Sequence, residues 1–249
     1  MRSTRLIGRR TAVGAALAGL AGCQPVPGTA PDRAATTPAV ELKLGPDGTG
    51  YTAFLAPITP ITSTLFRANI DKLLALNPAR ITVAISSPGG AVLSAKEMIA
   101  TMNRVRTERG IPVTTHNIGV VASAACYVFL AGQRRLCVPR GNFLFHAAGV
   151  AAMGVLTSEA LQQAADNLRE DERFFHTMLK VRTHLTEAEI PSFLHRTVIL
   201  NAEEARRDGI ADTIADFTTP PGATIPAIGT RPPPAPPPPR PAASTPGTP

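Results

Sequence analysis

Two segments of the sequence contain residue types that could together cleave an ester or amide bond. Ser123 lies among small residues between Gly119 and Ala125, where a substrate carbonyl would have room beside its hydroxyl. His146 follows the apolar run 143–145, and its imidazole titrates in the range in which a base can activate a hydroxyl at neutral pH. The pair is suited to nucleophilic catalysis, but a helix-capping serine and a core histidine are commoner explanations for each residue alone.

A third segment, from Ser86 to Gly90, could stabilise negative charge. Its consecutive glycines, Gly89 and Gly90, let the backbone approach a ligand closely, and free N–H groups at a helix start attract developing anions. The N–H that follows Ser123 would also be free, because the first N–H groups of a helix lack intrahelical acceptors. A plain tight turn is the alternative interpretation of the Gly-Gly pair.

Alternating strand-like and helix-like stretches must position these segments. Helical periodicity covers 64–76, 92–105 and 157–179, a further helix is expected to open within 119–126, and β-branched or apolar runs predict strands at 81–85, 112–116, 136–138 and 143–145. In the last helix, Leu161, Ala164, Leu168, Phe175 and Met178 are expected on the buried side. The alternation predicts an α/β fold with a largely parallel sheet.

In order and spacing, the three segments resemble the proteolytic subunit of the Clp protease. The matching pieces are 87–90, 119–125, 131–139, 145–146, 200–205 and 208–212, and the resemblance covers roughly residues 50 to 217. It implies the layered ββα superhelix shared by Clp subunits and crotonases. It also implies a serine peptidase in which Ser123 attacks the carbonyl, His146 takes its proton, and the N–H groups of Gly90 and Ala124 form the oxyanion hole.

One position departs from the family pattern. Where the family keeps the acid that orients the histidine, this chain aligns Thr197, whose hydroxyl can orient an imidazole but cannot offset its positive charge. Three hypotheses remain open: a Ser–His dyad oriented by Thr197 or water, an acid from elsewhere, or a weakened or inactive relative. Candidate acids are Asp166, Asp171 and Glu187.

Other reactive residue types receive structural interpretations. Signal peptide peptidases of a related fold use a Ser–Lys dyad, but His146 occupies the base position, so we interpret Lys180 as a solvated helix residue. Cys126 and Cys137 are expected to be small core residues, with a disulfide between them as the alternative. We interpret the remaining histidines as structural residues: His116, His176, His184 and His195. We expect no metal and no cofactor.

The sequence predicts that both ends of the chain lie outside the folded domain. Arginines in the first ten residues precede an apolar run too short to span a bilayer, and Leu20 to Cys23 resembles a bacterial lipobox with Cys23 as the lipidated residue. An ordinary secretory signal with an incidental cysteine is the alternative. We predict an export signal at 1–23, a tether at 24–45, a peptidase domain at 46–217 and a Pro-rich disordered tail at 218–249.

The formal charge of +7 is concentrated at the ends of the chain. Four arginines lie in the first ten residues and two follow residue 230, so the remaining 19 of 25 basic residues nearly balance the 18 acidic ones. The folded part therefore has no charge excess of the kind that nucleic-acid binding requires.

These observations predict a periplasmic, lipid-anchored serine endopeptidase that acts on peptides or unfolded protein segments. The family resemblance implies a homo-oligomeric ring, whereas an ATPase partner is not expected where ATP is scarce. A non-catalytic envelope lipoprotein that keeps the fold as a binding module is one alternative. A crotonase-like acyl-thioester enzyme that shares the oxyanion hole is another.

Overall fold

The computed structural model describes residues 41–149, residue 155 and residues 157–229. The predicted signal with Cys23, most of the tether and the tail from residue 230 onward lie outside the described residues. No helix in the described part of the chain is both long enough and apolar enough to cross a bilayer.

The described residues form one eight-stranded sheet and six helices. The strands are β1 (Thr49–Phe54), β2 (Arg80–Ser87), β3 (Val113–Ala122), β4 (Arg134–Cys137), β5 (Asn142–Phe145), β6 (Val198–Asn201), β7 (Thr213–Ile214) and β8 (Ala227–Ile228). The helices are α1 (Pro60–Leu74), α2 (Val92–Arg109), α3 (Ala124–Leu130), α4 (Ser158–Arg182), α5 (Ile190–His195) and α6 (Ala202–Arg207).

The main sheet has the strand order β6-β5-β3-β2-β1-β8, and β4 joins β3 to β7 beside it. Every strand pair is parallel except β5 with β6, which confirms the predicted α/β class with a largely parallel sheet. The long strand β3 changes partner along its length: 114–117 pair with β4 and 120–122 pair with β5. This divergence carries the end of β3, and the serine after it, to the side of β5.

The core forms where the apolar faces of the helices cover the sheet. In β2, Ile81, Val83 and Ile85 on one face and Ala84 on the other are fully buried, as a parallel strand covered on both faces requires. Helix α1 contributes Phe66 and Ile70, both with no exposed surface, and its first turn is closed by a capping box. Each such aliphatic or aromatic side chain contributes about 1.5–3 kcal/mol of burial free energy, so these contacts hold the strand ends in place.

Two predicted element boundaries were wrong. The strand predicted at 112–116 continues to Ala122 because Val120 and Val121 pair with β5, and the helix expected to open within 119–126 begins at Ala124. Helix α1 begins at Pro60 rather than Thr64, since a proline is favoured in the first turn of a helix.

The N-terminal half of α4 is more exposed than the sequence periodicity predicted. Leu161 has 53% of its surface exposed, whereas Phe175 and Leu179 are the buried side chains of this helix. The expected apolar face is therefore covered by the domain only in the C-terminal half of the helix. Leu161 shows that helical periodicity identifies an apolar face without identifying what covers it.

The domain also continues beyond the predicted boundary at residue 217. Strand β8 pairs with β1 through Ala227 and Ile228, and Ile228 is only 5% exposed. Thr224 exchanges hydrogen bonds with Lys43, so the two ends of the described chain lie together. The edge of β1 would otherwise present unpaired N–H and C=O groups, which explains why an apolar stretch of the Pro-rich region is recruited.

Candidate active site

Ser123 occupies a tight turn between β3 and α3. Its backbone has φ 55° and ψ −131°, and within the described ranges the only other non-glycine residue with positive φ is Asn77. Such a conformation costs about 1–3 kcal/mol and persists only where surrounding structure enforces it. The half-buried side chain makes no capping hydrogen bond to α3, so the helix-cap interpretation of Ser123 was wrong. A strained strand-to-helix turn of this kind leaves the hydroxyl available for chemistry.

The Gly89-Gly90 turn packs directly against the serine turn. A Cβ placed on Gly89 would lie 2.6 Å from Cβ of Ser123, 2.5 Å from the carbonyl oxygen of Ala122 and 3.0 Å from the amide nitrogen of Ala124. Gly89 has φ +87°, and a Cβ on Gly90 (φ +146°) would lie 2.2 Å from the carbonyl oxygen of Ile58. Both glycines are therefore required by contact as well as by backbone conformation.

Some backbone N–H groups of the two turns donate hydrogen bonds, and others are free. The N–H of Gly89 donates to Oγ of Ser87 and that of Ala91 donates to the carbonyl of Ile58, at 3.2 and 2.9 Å. Within the described residues, the N–H groups of Gly90 and Ala124 have no acceptor. The arrangement can supply two donors to an oxyanion formed at Ser123.

His146 lies just beyond the end of β5, next to the serine turn in the sheet register. Ala122 pairs with Leu144, and the N–H of Ser123 donates to the carbonyl of Leu144 at 2.7 Å. The exposed imidazole donates from Nδ1 to the carbonyl of its neighbour Ala147 at 2.8 Å. Because a carbonyl only accepts, the proton resides on Nδ1 and the Nε2 lone pair is free to act as a base.

No hydrogen bond joins His146 to Ser123 within the described part of the chain. Free enzymes often hold their catalytic hydrogen bonds long or open and tighten them only in the substrate complex. The imidazole must therefore leave Ala147 or turn about its bonds before it can receive the serine proton.

A small cavity of about 200 Å³ adjoins His146. Its lining comprises Tyr127, His146, Ala147, Ala148, Leu168, Glu172, Phe175, Leu194 and His195. The Tyr127 ring stacks on Phe175 with ring centroids 3.7 Å apart. Burial raises the pKa of the Tyr127 hydroxyl, so this group stays protonated and neutral beside the histidine.

Thr197 lies one position before β6, which pairs with β5 in antiparallel register. Phe145 pairs with Val198, so continuing the same register would place Thr197 opposite His146. Thr197 is exposed, and among the described residues its hydroxyl has no hydrogen-bond partner.

The three acids suggested by the sequence bind other groups and do not line the cavity beside His146. Asp166 pairs with Arg169 at 2.7 Å and Asp171 with Lys96 at 2.6 Å. Glu187 pairs with His176 and with Lys180, and the Lys180 contact holds the pKa of its carboxyl below the usual range.

Two further residues line this cavity: Glu172, which the sequence analysis did not single out, and His195, which it interpreted as structural. Oε1 of Glu172 lies 2.9 Å from Nε2 of His195, and both side chains line the cavity with His146. The signal was present in α4, where Leu168, Glu172 and Phe175 have the i, i+4, i+7 spacing of one helix face. Apolar periodicity alone assigned that face to the core and so passed over its carboxylate.

The cysteines do not form the alternative disulfide. Cys126 and Cys137 are both buried with free thiols, and Sγ of Cys126 donates to the carbonyl of Val121 at 3.3 Å. Burial raises the pKa of both thiols, that of Cys137 to about 12, so neither is a nucleophile at neutral pH. Within residues 41–149 and 157–229, no group of three or more His, Cys, Asp or Glu side chains is arranged to hold a metal ion.

Comparison with known proteins identifies the family. The family model described as Clp protease matches residues 54–218. The ATP-dependent Clp protease proteolytic subunit 1 of Rhodococcus jostii is 33% identical over 153 residues, which are 60% of this chain and 67% of that protein. Subunit 1 of Cutibacterium acnes is 29% identical over 164 residues (63% and 73%), and subunit 2 of Mycobacterium leprae is 31% identical over 153 residues (60% and 70%). The chain described here belongs to the Clp protease family.

Proposed function

We propose that this protein is a serine endopeptidase that hydrolyses peptides or unfolded protein segments, with Ser123 as nucleophile and His146 as general base. The observation that carries the proposal is the strained backbone of Ser123, whose side chain caps nothing and whose turn packs on Gly89. A protein retains such strain only where the surrounding structure enforces it, and catalytic nucleophiles are among the residues so held. The relatives named above are proteolytic subunits, which supports the same assignment.

The proposed reaction follows the geometry of the two turns. Oγ of Ser123 attacks the peptide carbonyl while Nε2 of His146 takes the hydroxyl proton, and the N–H groups of Gly90 and Ala124 donate to the oxyanion. His146 then gives this proton to the departing amine, which leaves an acyl group on Oγ. Water next attacks the acyl carbonyl while His146 takes its proton, and His146 returns that proton to Oγ as the ester bond breaks. Because Nδ1 already donates to Ala147, the imidazole is in the tautomer that this sequence of proton transfers needs.

Closure of the Ser–His pair is the step on which the rate depends. General-base catalysis contributes about 10²- to 10⁴-fold, so a protein with the pair left open would be a slow enzyme. We include assembly into a homo-oligomeric ring in the proposal, with the pair closing when substrate binds in the assembled protein.

We further propose that the domain is exported and acts at the cell envelope, held by lipid on Cys23 through the tether at 24–45. The support is the order of basic, apolar and small residues before Cys23. Incorporation of radiolabelled palmitate into the parent, and its loss in Cys23→Ala, tests this location independently of catalysis. Equal incorporation in both proteins would contradict it.

A second candidate function is a non-catalytic binding lipoprotein of the same fold. Two observations favour it: Nδ1 of His146 is engaged by Ala147 rather than by an acid, and Thr197 carries no charge. In this case the surface around Ser123 and His146 would bind extended peptide without cleaving it.

Labelling of the full chain, purified in detergent, with a fluorophosphonate probe separates the two candidates. We expect the parent to be labelled, Ser123→Ala to be unlabelled and His146→Ala to be labelled at least 100-fold more slowly. Ser86→Ala is the matched control, because this half-buried serine lies near the end of β2, before the Gly-Gly turn, and has no proposed catalytic role. A folded parent protein that takes no label rejects the enzyme in favour of the binding lipoprotein.

A further inference from the structure

We infer that Glu172 is the carboxylate that positions His146 and offsets its positive charge, an inference that rests on the proposed function. The aligned acid position holds Thr197, yet an imidazole that accepts a proton is stabilised by a nearby anion. Glu172 comes from α4, a different element from the strand that carries Thr197. The role of the acid would thus have moved to another part of the fold.

The cavity beside His146 offers one anion. Glu172 is the single carboxylate among the described residues that line it, and Tyr127 contributes a hydroxyl that burial keeps neutral. The titratable groups facing His146 across this space are Tyr127 from α3, Glu172 from α4 and His195 from α5. Of these, only Glu172 can carry the negative charge that a protonated His146 requires.

Glu172 and His146 could each give up their present hydrogen-bond partner for the other. Glu172 binds His195 at 2.9 Å, and the two side chains are 40% and 57% exposed. A solvent-exposed pair of this kind is weak, so breaking it costs little. His146 is bound to the carbonyl of the residue next to it, which fixes its tautomer but supplies no full charge. Turning His146 so that Nδ1–H donates to Glu172 keeps the tautomer and adds the charge.

The test compares the rate of fluorophosphonate labelling in full-chain variants across pH 5 to 9. Glu172→Gln should label about 10- to 100-fold more slowly than the parent, the range expected for loss of one charge-assisted hydrogen bond. Its half-maximal rate should also move to lower pH, because a carboxylate favours the protonated imidazole and its loss removes that preference. Glu172→Asp should recover part of the rate. Thr197→Asp added to Glu172→Gln should recover at least tenfold by restoring an acid at the aligned position.

Two controls isolate the effect. Glu170→Gln removes the same charge from the same helix at a residue that lines a different cavity, and it should label at the parental rate and pH. His195→Asn, measured alone and with Glu172→Gln, removes the titration of His195 from the profile. Circular dichroism and urea unfolding establish that each variant is folded.

The outcomes separate this inference from the proposed function. A labelled parent with Glu172→Gln at the parental rate and profile overturns the positioning role alone. If Glu172→Gln labels slowly but its pH profile does not shift, Glu172 is a structural residue and the positioning role is overturned. The same holds if adding Thr197→Asp does not restore the labelling rate. A parent that takes no label, like Ser123→Ala, overturns both.

Discussion

Replacing Gly89 by alanine tests whether the Gly-Gly turn is built against Ser123, the proposed nucleophile. The added methyl would lie 2.5 Å from the carbonyl oxygen of Ala122 and 2.6 Å from Cβ of Ser123, and both contacts are too close to persist. A positive φ costs a non-glycine residue about 1–2 kcal/mol, and overpacking costs about 1–3 kcal/mol. We therefore expect Gly89→Ala to lower the free energy of unfolding by about 2–5 kcal/mol.

The same clash should weaken catalysis in the protein that remains folded. The turn must move away from Ser123, which carries the N–H of Gly90 out of the proposed oxyanion position. Loss of one oxyanion donor lowers kcat by about 10²- to 10³-fold, so labelling by a fluorophosphonate should slow by a similar factor. Stability is measured by urea unfolding, and labelling is measured well below the unfolding transition.

Gly222→Ala is the matched control for this experiment. Gly222 has φ +84°, close to the φ +87° of Gly89, but a Cβ placed on it meets no atom within 4 Å. It should lose only the backbone contribution of about 1–2 kcal/mol and label at the parental rate. If Gly89→Ala matches Gly222→Ala in both stability and labelling, the argued contact between the two turns is wrong.

Three further predictions concern the stability of the domain. Asp212→Asn should lower the free energy of unfolding in urea by about 1.5–3 kcal/mol, because Arg135, with 11% of its side chain exposed, loses its charged partner. Glu203→Gln, which breaks an exposed ion pair, is the control and should lower it by under about 1 kcal/mol. Burial lowers the pKa of His116, so below about pH 6.5 its imidazole binds a proton more readily in the unfolded state than in the folded state. Unfolding free energy should therefore fall from pH 7 to 5, and His116→Gln should flatten that fall; an equal slope in both proteins would contradict it. Cys137 should resist iodoacetamide at pH 8 until urea is added, as mass spectrometry would detect.

The sequence predicted the features that depend on local pattern and spacing. The buried strand around Val83 and the turn at Gly89 follow from a β-branched run ended by two glycines. The parallel sheet follows from alternating strands and helices, and the family resemblance aligned Ser123 and His146.

Features that depend on long-range packing were not predictable from the sequence. The positive φ of Ser123 is enforced by neighbours such as Gly89, which lies more than thirty residues earlier in the chain. Glu172 lines the same cavity as His146 only because α4 packs against α3 and α5, a relation that no local pattern encodes. Exposure of Leu161 likewise depends on what the rest of the domain leaves uncovered.

The pairing of β8 with β1 has a consequence for the genetics of this protein. Ile228 is buried, and the carbonyl of Pro226 accepts hydrogen bonds from β1, so these residues are part of the sheet although they are embedded in a Pro-rich region. A stop codon after Gly229 would leave the sheet edge covered. One placed before Pro226 would remove the covering strand and leave β1 as an open template for pairing between chains. Tolerance to nonsense mutations should therefore be lost between the codons for Gly229 and Pro226, although the Pro-rich composition there does not indicate a strand.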